Sequence, residues 1–321
     1  MVLTAGRGTR LAPLSRLRAK PALPVAGVPL AGRILRWLAG AGVRRAVLNL
    51  HHLPDTIVAA VGDGSGFGVE VQYSRERILL GSAGGPARAL PLIAADRFLL
   101  VNGDSLTNLD LAAFAAAHRA SGAAVTLALV PNPDPLHYGG VVVDGEGRIT
   151  GFTAPGPANE GWHFIGIQAV EARVVAALDP DQPSDTVGAV YRGMTAREPG
   201  AIRAFVSEAT FADIGTAADY LDTCLALGRA EGLGEVQTGE RTTLAAGSRV
   251  SRSVLWDDVR VGAGAVLDEC VVADGAVVPP GARFSRLVVM RDDGRQPEPG
   301  EARLGALLVS PLDARRRKPG P

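Results

Sequence analysis

The spacing of apolar positions along this chain changes once, near residue 230. Before that point short apolar runs alternate with segments whose apolar residues fall three and four apart, the pattern of strands alternating with helices in an α/β domain on a largely parallel sheet. Met1 to Thr4 reads as a short buried strand, and Leu30 to Ala41 as a helix that stops at Gly42. Arg45 to Leu50, Val69 to Tyr73, Phe98 to Asn102 and Val125 to Val130 read as further strands. A helix ends around Val61 with Pro54 in its first turn, and another covers Leu109 to Ala120. Asp144-Gly145-Glu146-Gly147 sits between two β segments and predicts a hairpin turn.

After a helix through Tyr220 and Leu227 the texture becomes that of a solenoid. From Thr243 to Phe284 apolar residues recur at a six-residue step, with Val254, Val266, Val272 and Val278 in one phase and Arg260 as the exception. Gly264-Ala265, Gly275-Ala276 and Gly281-Ala282 mark the corners. A parallel β-helix needs one small inward residue per face and a tight corner between faces; an ordinary glycine-rich meander is the competing reading. So short a stack cannot bury its ends alone and is expected to pack on the first domain or on another subunit, which predicts a homo-oligomer. The expected division is a first domain over residues 1–232, a β-helix over 243–290 and a polar tail over 291–321.

Charge and composition then exclude several classes. Lysine plus arginine equals aspartate plus glutamate at 33 each, so no global field draws the chain to nucleic acid or a membrane surface, and phosphate recognition has to be local. Only Cys224 and Cys270 are present, too few for a disulfide framework or zinc spacing; two buried thiols and a cytoplasmic location are expected. The basic run Arg315-Arg316-Arg317-Lys318 is expected to be a solvated tail.

The chemistry is concentrated in Leu3-Thr4-Ala5-Gly6-Arg7-Gly8-Thr9-Arg10-Leu11-Ala12-Pro13-Leu14, followed by Lys20-Pro21-Ala22-Leu23-Pro24-Val25. A strand ending in small residues can aim successive backbone N–H groups at phosphate oxygens, and Arg10 and Lys20 add formal positive charge. The spacing is neither that of a Walker loop nor that of a dinucleotide-binding turn. The string resembles the signature of the sugar nucleotidyltransferase family, in which Leu-x-Ala-Gly-x-Gly-Thr-Arg-Leu-x-Pro-Leu precedes Lys-Pro-Leu-x-Pro-Val. Val101-Asn102-Gly103-Asp104 and Phe211-Ala212-Asp213-Ile214-Gly215-Thr216 resemble its two later motifs, and Leu80-Gly81-Ser82-Ala83-Gly84-Gly85 its base-side segment. Taken singly, an aspartate after a strand is more often a turn or helix cap than a ligand.

The resemblance implies a Rossmann-like, mostly parallel sheet with a short left-handed β-helix appended. It implies transfer of a nucleoside monophosphate from a nucleoside triphosphate to a sugar 1-phosphate, with Mg2+ held by Asp104 and Asp213. Arg10 would face the departing pyrophosphate and Lys20 the triphosphate. Leu3, Ala5, Gly6, Gly8 and Thr9 would line the nucleotide through the backbone, Gly84 and Gly85 would lie beside the base, and Gly140, His163 and Gly166 beside the sugar. Many members carry Glu-Lys-Pro after a strand like Ile149 to Phe152, where this chain has Thr153-Ala154-Pro155. Either Arg192 or Arg7 replaces that lysine, or the chain is a non-catalytic homologue that binds nucleotide-sugar. No glutamine lies between Leu79 and Leu90, which tilts the expectation towards guanylyl transfer onto mannose 1-phosphate.

Overall fold

The computed structural model describes residues 1–312, so the expected basic tail lies outside the described residues. The chain forms two compact units: Met1–Gly6 with Ala31–Ala212, and Arg7–Leu30 with Asp213 onward. This division by contacts does not follow the boundary expected at residue 232.

The first unit is built on a seven-stranded sheet. Its strands are β1 (Val2–Leu3), β2 (Arg45–Leu50), β3 (Glu70–Arg75), β4 (Arg97–Asn102), β5 (Val125–Val130), β8 (His163–Glu171) and β9 (Ile202–Val206), in the order β9-β5-β8-β4-β1-β2-β3. All pairings are parallel except those of β8, which runs antiparallel to both neighbours. The expected mostly parallel sheet is therefore what forms. A hairpin of β6 (Gly140–Val143) and β7 (Ile149–Thr153) lies outside this sheet, and its turn is the Asp-Gly-Glu-Gly segment. Strand β5 is buried along its whole length, as its unbroken Val-Thr-Leu-Ala-Leu-Val run requires of a central strand.

Helices Leu30–Gly40, Pro54–Val61, Gly81–Ile93 and Leu111–Ser121 connect these strands. The last begins two residues later than its apolar pattern suggests because Asp110 caps it, its carboxylate accepting from the Ala112 and Ala113 amides. The core between sheet and helices is aliphatic, with Leu100, Val125, Leu127, Leu129 and Val170 fully buried.

The second unit is a three-faced parallel β-helix together with helix Ala217–Ala230 and the Arg7–Leu30 segment. Each strand residue pairs with the one 17 positions on: Val254 with Val271, Val261 with Val278, Leu267 with Phe284. The corner residues have left-handed φ: Arg241 54°, Gly247 72° and Arg252 42°, then Asp258 59°, Gly264 69° and Glu269 51°, then Gly275 66°, Gly281 70° and Arg286 54°. The intervals between corners thus run six, five and six residues. This corrects the uniform six-residue step: the inward cluster contains Leu255, Val261, Leu267, Val272 and Val278, while Val254 and Val266 fall outside it. One face is a residue shorter, so a strict count of six drifts out of phase once per coil.

Non-glycine residues tolerate the strained corners where they can join charges along the stack. Arg241 pairs with Asp258 at 2.6 Å, and Glu269 lies between Arg252 at 3.2 Å and Arg286 at 2.5 Å. The Arg241–Asp258 pair is solvent-exposed and the Glu269 pairs partly so, and water and salt screen such pairs, so they contribute little to stability.

The expected polar tail from residue 291 is also corrected. Strand Leu307–Pro311 adds antiparallel to Leu287–Arg291 on one face of the β-helix, and Ala302–Leu304 pairs antiparallel with Leu307–Pro311 beyond it. Leu307, Leu308 and Val309 are buried there, so a short apolar run inside a polar segment is enough to return the chain to the sheet.

Candidate active site

In the first unit the site residues gather at the carboxyl ends of β1, β2 and β4. Strand β1 pairs with both β2 and β4, so the strand order reverses at this point, the place where open α/β sheets bind ligands. Leu3 lies opposite Asn102, and the Gly103 amide donates to the Leu3 carbonyl at 2.9 Å. A Cβ on Gly103 would stand 2.3 Å from that carbonyl oxygen, which is why the residue before Asp104 has no side chain. Gly103 also packs on the Thr4 side chain, so the chain turns into Asp104 at the edge where the small-residue loop begins. Gly6 is exposed, with open space where a Cβ would be, leaving its backbone accessible.

Two residues that the motifs did not mark hold this edge together. Asn49 accepts from the Thr4 amide through Oδ1 at 2.7 Å, and its backbone carbonyl accepts from the Thr4 hydroxyl. The Asn49 side-chain amide donates to buried Glu76 at 2.7 Å, and the other Glu76 oxygen accepts from the Leu80 amide at 2.9 Å. Glu76 thereby joins the end of β1 to the start of helix Gly81–Ile93. Their signal in the sequence was modest: Asn49 is the one polar residue in Ala46-Val47-Leu48-Asn49-Leu50, and polar groups inside apolar strands need partners.

The glycines expected beside base and sugar have steric reasons of their own. A Cβ on Gly85 would lie 2.8 Å from Glu76 Oε1, and one on Gly84 would lie 2.6 Å from the Gln182 carbonyl. Gly140 packs on the Asn159 side chain. Gly166, with φ of 80°, sits where the β8–β5 register shifts and packs on Asn102. His163 is only 9 % exposed, stacked on Phe211 with centroids 4.6 Å apart and tilted against Tyr138 at 4.3 Å. Burial lowers its pKa from 6.5 to about 4, so it is neutral at physiological pH and its Nδ1 has no hydrogen-bond partner. It forms part of an aromatic wall more than an open sugar contact.

The second unit holds the other three charged candidates. Arg7 to Ala22 is a chain of single 3-10 turns, at Thr9–Leu11, Leu14–Arg16 and Lys20–Ala22, entered through Gly8 at φ 58°. A Cβ on Gly8 would press on Ser15 at 3.3 Å and Lys20 at 3.5 Å, so the turn closes over its own base. Lys20 is buried, with its ammonium 3.8 Å from the Asp213 carboxylate. Arg10 is exposed and lies over Gly215, where a Cβ would meet its Nη1 at 3.3 Å. Helix Ala217–Ala230 follows directly, its start fixed by a capping box between Thr216 and Asp219. Arg10, Lys20 and Asp213 thus belong to one local arrangement, while Asp104 and the glycines belong to the sheet edge of the first unit.

No group of three or more His, Cys, Asp or Glu side chains that could hold a metal occurs among the described residues. Asp104 and Asp213 are hard oxygen donors of the kind of which magnesium commonly takes one or two before completing its shell with phosphate oxygens and water, and they belong to different units.

A central, mostly parallel sheet whose first strand runs into a glycine-rich loop, and a parallel β-helix in the second unit, define an α/β protein with a β-helical stack. Family comparison agrees: the nucleotidyl transferase family model matches residues 1–229, and that of the GlmU-like C-terminal hexapeptide matches residues 236–292. The chain belongs to the nucleotidyl transferase family. It is 30 % identical over 304 residues to mannose-1-phosphate guanylyltransferase of Mycobacterium tuberculosis, covering 94 % of this chain and 81 % of that one. Over 114 residues, 35 % of this chain and 49 % of the other, it is 48 % identical to N-acetylmuramate alpha-1-phosphate uridylyltransferase of Neisseria meningitidis. Among solved structures, HddC from Yersinia pseudotuberculosis complexed with GMP-PN superposes with a TM-score of 0.61 at 25 % identity, over 70 % of this chain and 97 % of that one.

Proposed function

We propose that the protein transfers a nucleoside monophosphate from a nucleoside triphosphate to a sugar 1-phosphate and releases pyrophosphate. The observation that supports this reading is the Gly103–Leu3 contact, which holds the end of the strand before Asp104 against the end of the central strand, where the open backbone of Gly6 follows. An oxygen of the sugar 1-phosphate attacks the α-phosphorus in line, and the bond to the β-phosphate oxygen breaks. That nucleophile is already anionic at neutral pH, so the reaction needs alignment and charge relief and not a general base. Backbone amides from Ala5 to Thr9 bind phosphate oxygens, Lys20 neutralises the triphosphate and Arg10 the departing pyrophosphate. Asp104 and Asp213 would hold Mg2+, which when bound relieves repulsion between the two polyanions.

Arg192 is the better of the two expected substitutes for the missing lysine. Its guanidinium stands over the Phe152 ring, 5.8 Å from the centroid, next to the segment where the family lysine would fall. The similarity to a mannose-1-phosphate guanylyltransferase over most of the chain supports guanosine triphosphate with mannose 1-phosphate as the first pair to test. A panel of nucleoside triphosphates against sugar 1-phosphates with magnesium, read by pyrophosphate release, tests both levels. Release with one pair confirms the enzyme and names its substrates. Binding of a nucleotide-sugar with no release from any pair would make the chain a non-catalytic homologue.

A further inference from the structure

We infer that Arg18 is a positioning residue that makes the β-helix part of the phosphate-binding apparatus, by clamping the loop that carries Arg10 and Lys20 onto two successive coils. The inference rests on the proposed function for its kinetic consequences and on geometry alone for the clamp.

Arg18 lies two residues before Lys20, between the second and third 3-10 turns of the loop. Its guanidinium forks onto Asp274, with Nε to Oδ2 at 2.8 Å and Nη2 to Oδ1 at 2.7 Å, and Nη2 also reaches Asp257 at 2.6 Å. Asp257 and Asp274 are vertical neighbours in the stack, 17 residues apart, and Asp274 accepts from the Asp257 amide at 3.0 Å. One arginine therefore bridges two coils. Its plane lies against Trp256, 5.2 Å from the ring centroid, and Trp256 is fully buried. The Trp256 indole donates to the Tyr220 hydroxyl at 2.9 Å, and Tyr220 donates to the Pro24 carbonyl at the far end of the same loop. Earlier in the loop, Arg16 pairs with Glu298 and, at 3.1 Å, with Glu301 of the segment after the coils.

The loop is thus held at Arg16, Arg18 and Pro24, all by the β-helix or by a helix resting on it, and Lys20 sits between two of these anchors. Single 3-10 turns have little stability of their own, so the loop takes its conformation from this wall. Arg18 differs from the exposed arginines of the corner ladder in being 24 % exposed, and burial raises the pKa of its partner Asp274 above its ordinary range. A lysine could not reproduce the contact, because only the planar guanidinium forks one carboxylate and reaches a second.

The full-length chain tests this with Arg18→Gln against Arg241→Gln, which removes an equally forked ion pair elsewhere in the same β-helix. Amide hydrogen exchange over residues 7–23 should quicken by about tenfold or more in Arg18→Gln and stay at the wild-type rate in Arg241→Gln. In the same pair, the KM for nucleoside triphosphate should rise about tenfold only in Arg18→Gln, with the KM for sugar 1-phosphate changed less than about twofold. Arg18→Lys should recover less than half of the loss. If Arg18→Gln does not fold, Asp274→Asn leaves the arginine in place, weakens the fork and should give the same two signatures more mildly. Equal exchange in the two arginine variants overturns the clamp. Quickened exchange in a chain that turns over no substrate pair would keep the clamp and reject the proposed function.

Discussion

Lys20 Nζ lies 3.8 Å from Asp213 Oδ1, with the two side chains 10 % and 20 % exposed. The pair brings together the first motif and the last of the three that resemble the family pattern, although nearly two hundred residues of chain separate them. A buried ammonium facing a carboxylate and a polyphosphate can serve both. Lys20→Ala should lower pyrophosphate release by about 100- to 1000-fold, and Lys20→Arg should not restore it, because the larger planar group does not fit so enclosed a place. A rate within threefold of wild type in Lys20→Ala, measured under saturating substrates, would count against its role.

Asp104→Ala should abolish pyrophosphate release while leaving the thermal transition within a few degrees of wild type, since its carboxylate is partly exposed. Asp213→Ala should abolish release with the fold assembled but a lower Tm, because it takes a carboxylate from the buried Lys20 ammonium. Normal turnover in both variants would remove the metal assignment.

Gly103→Ala tests the contact that seats Asp104. The new methyl meets the Leu3 carbonyl at 2.3 Å, backbone against backbone, and the strand ends must separate. A destabilisation of about 1–3 kcal/mol and a drop of several degrees in Tm are expected, with activity falling much further because Asp104 is displaced. Unchanged activity would mean that the separation of β1 and β4 at this edge does not matter to the chemistry.

His163 gives a pH test. Its folded pKa of about 4 is below the ordinary 6.5, so between these values the unfolded chain binds more protons than the native one. The contribution is fully present above pH 6.5 and is lost as pH falls towards 4. His163→Phe, which keeps the stack on Phe211, should make Tm less dependent on pH across that window while matching wild-type behaviour above pH 7. The same pH slope in both proteins would show that His163 is not held neutral by burial.

Arg192→Ala should raise the KM for sugar 1-phosphate about tenfold and leave that for the nucleotide unchanged, as loss of a cation on one substrate requires. The reverse split would assign Arg192 to the nucleotide.

Most of the architecture was legible because it depends on local patterns. The apolar Val125 to Val130 run read as a strand and is buried along its length, and the glycine-alanine corners favoured a narrow coil over a meander. What the sequence concealed was set by contacts between distant residues. The short face of each coil appears only when Val254 is paired with Val271. The strand at Leu307–Pro311 exists because Leu287–Arg291 offers it an edge. At the site, the charged motif residues were visible, but Asn49, Glu76 and Arg18 were not, since none belongs to a spacing pattern and each acts through a partner far along the chain. His163 looked like a polar group available to a ligand, and only the stack on Phe211 shows how little water reaches it.

The antiparallel return at Ala302–Leu304 and Leu307–Pro311 makes the β-helix a finite object. Parallel coils would otherwise leave one face ending in a straight row of unpaired amides and carbonyls, a template on which a second molecule could continue the pile. Here the outermost strand is three residues long and exposed, and Arg303 in its middle is tied to Asp292 at 2.6 Å. On that face the free edge is thus a short, charged strand instead of a full coil, which disfavours continuing the pile by backbone pairing.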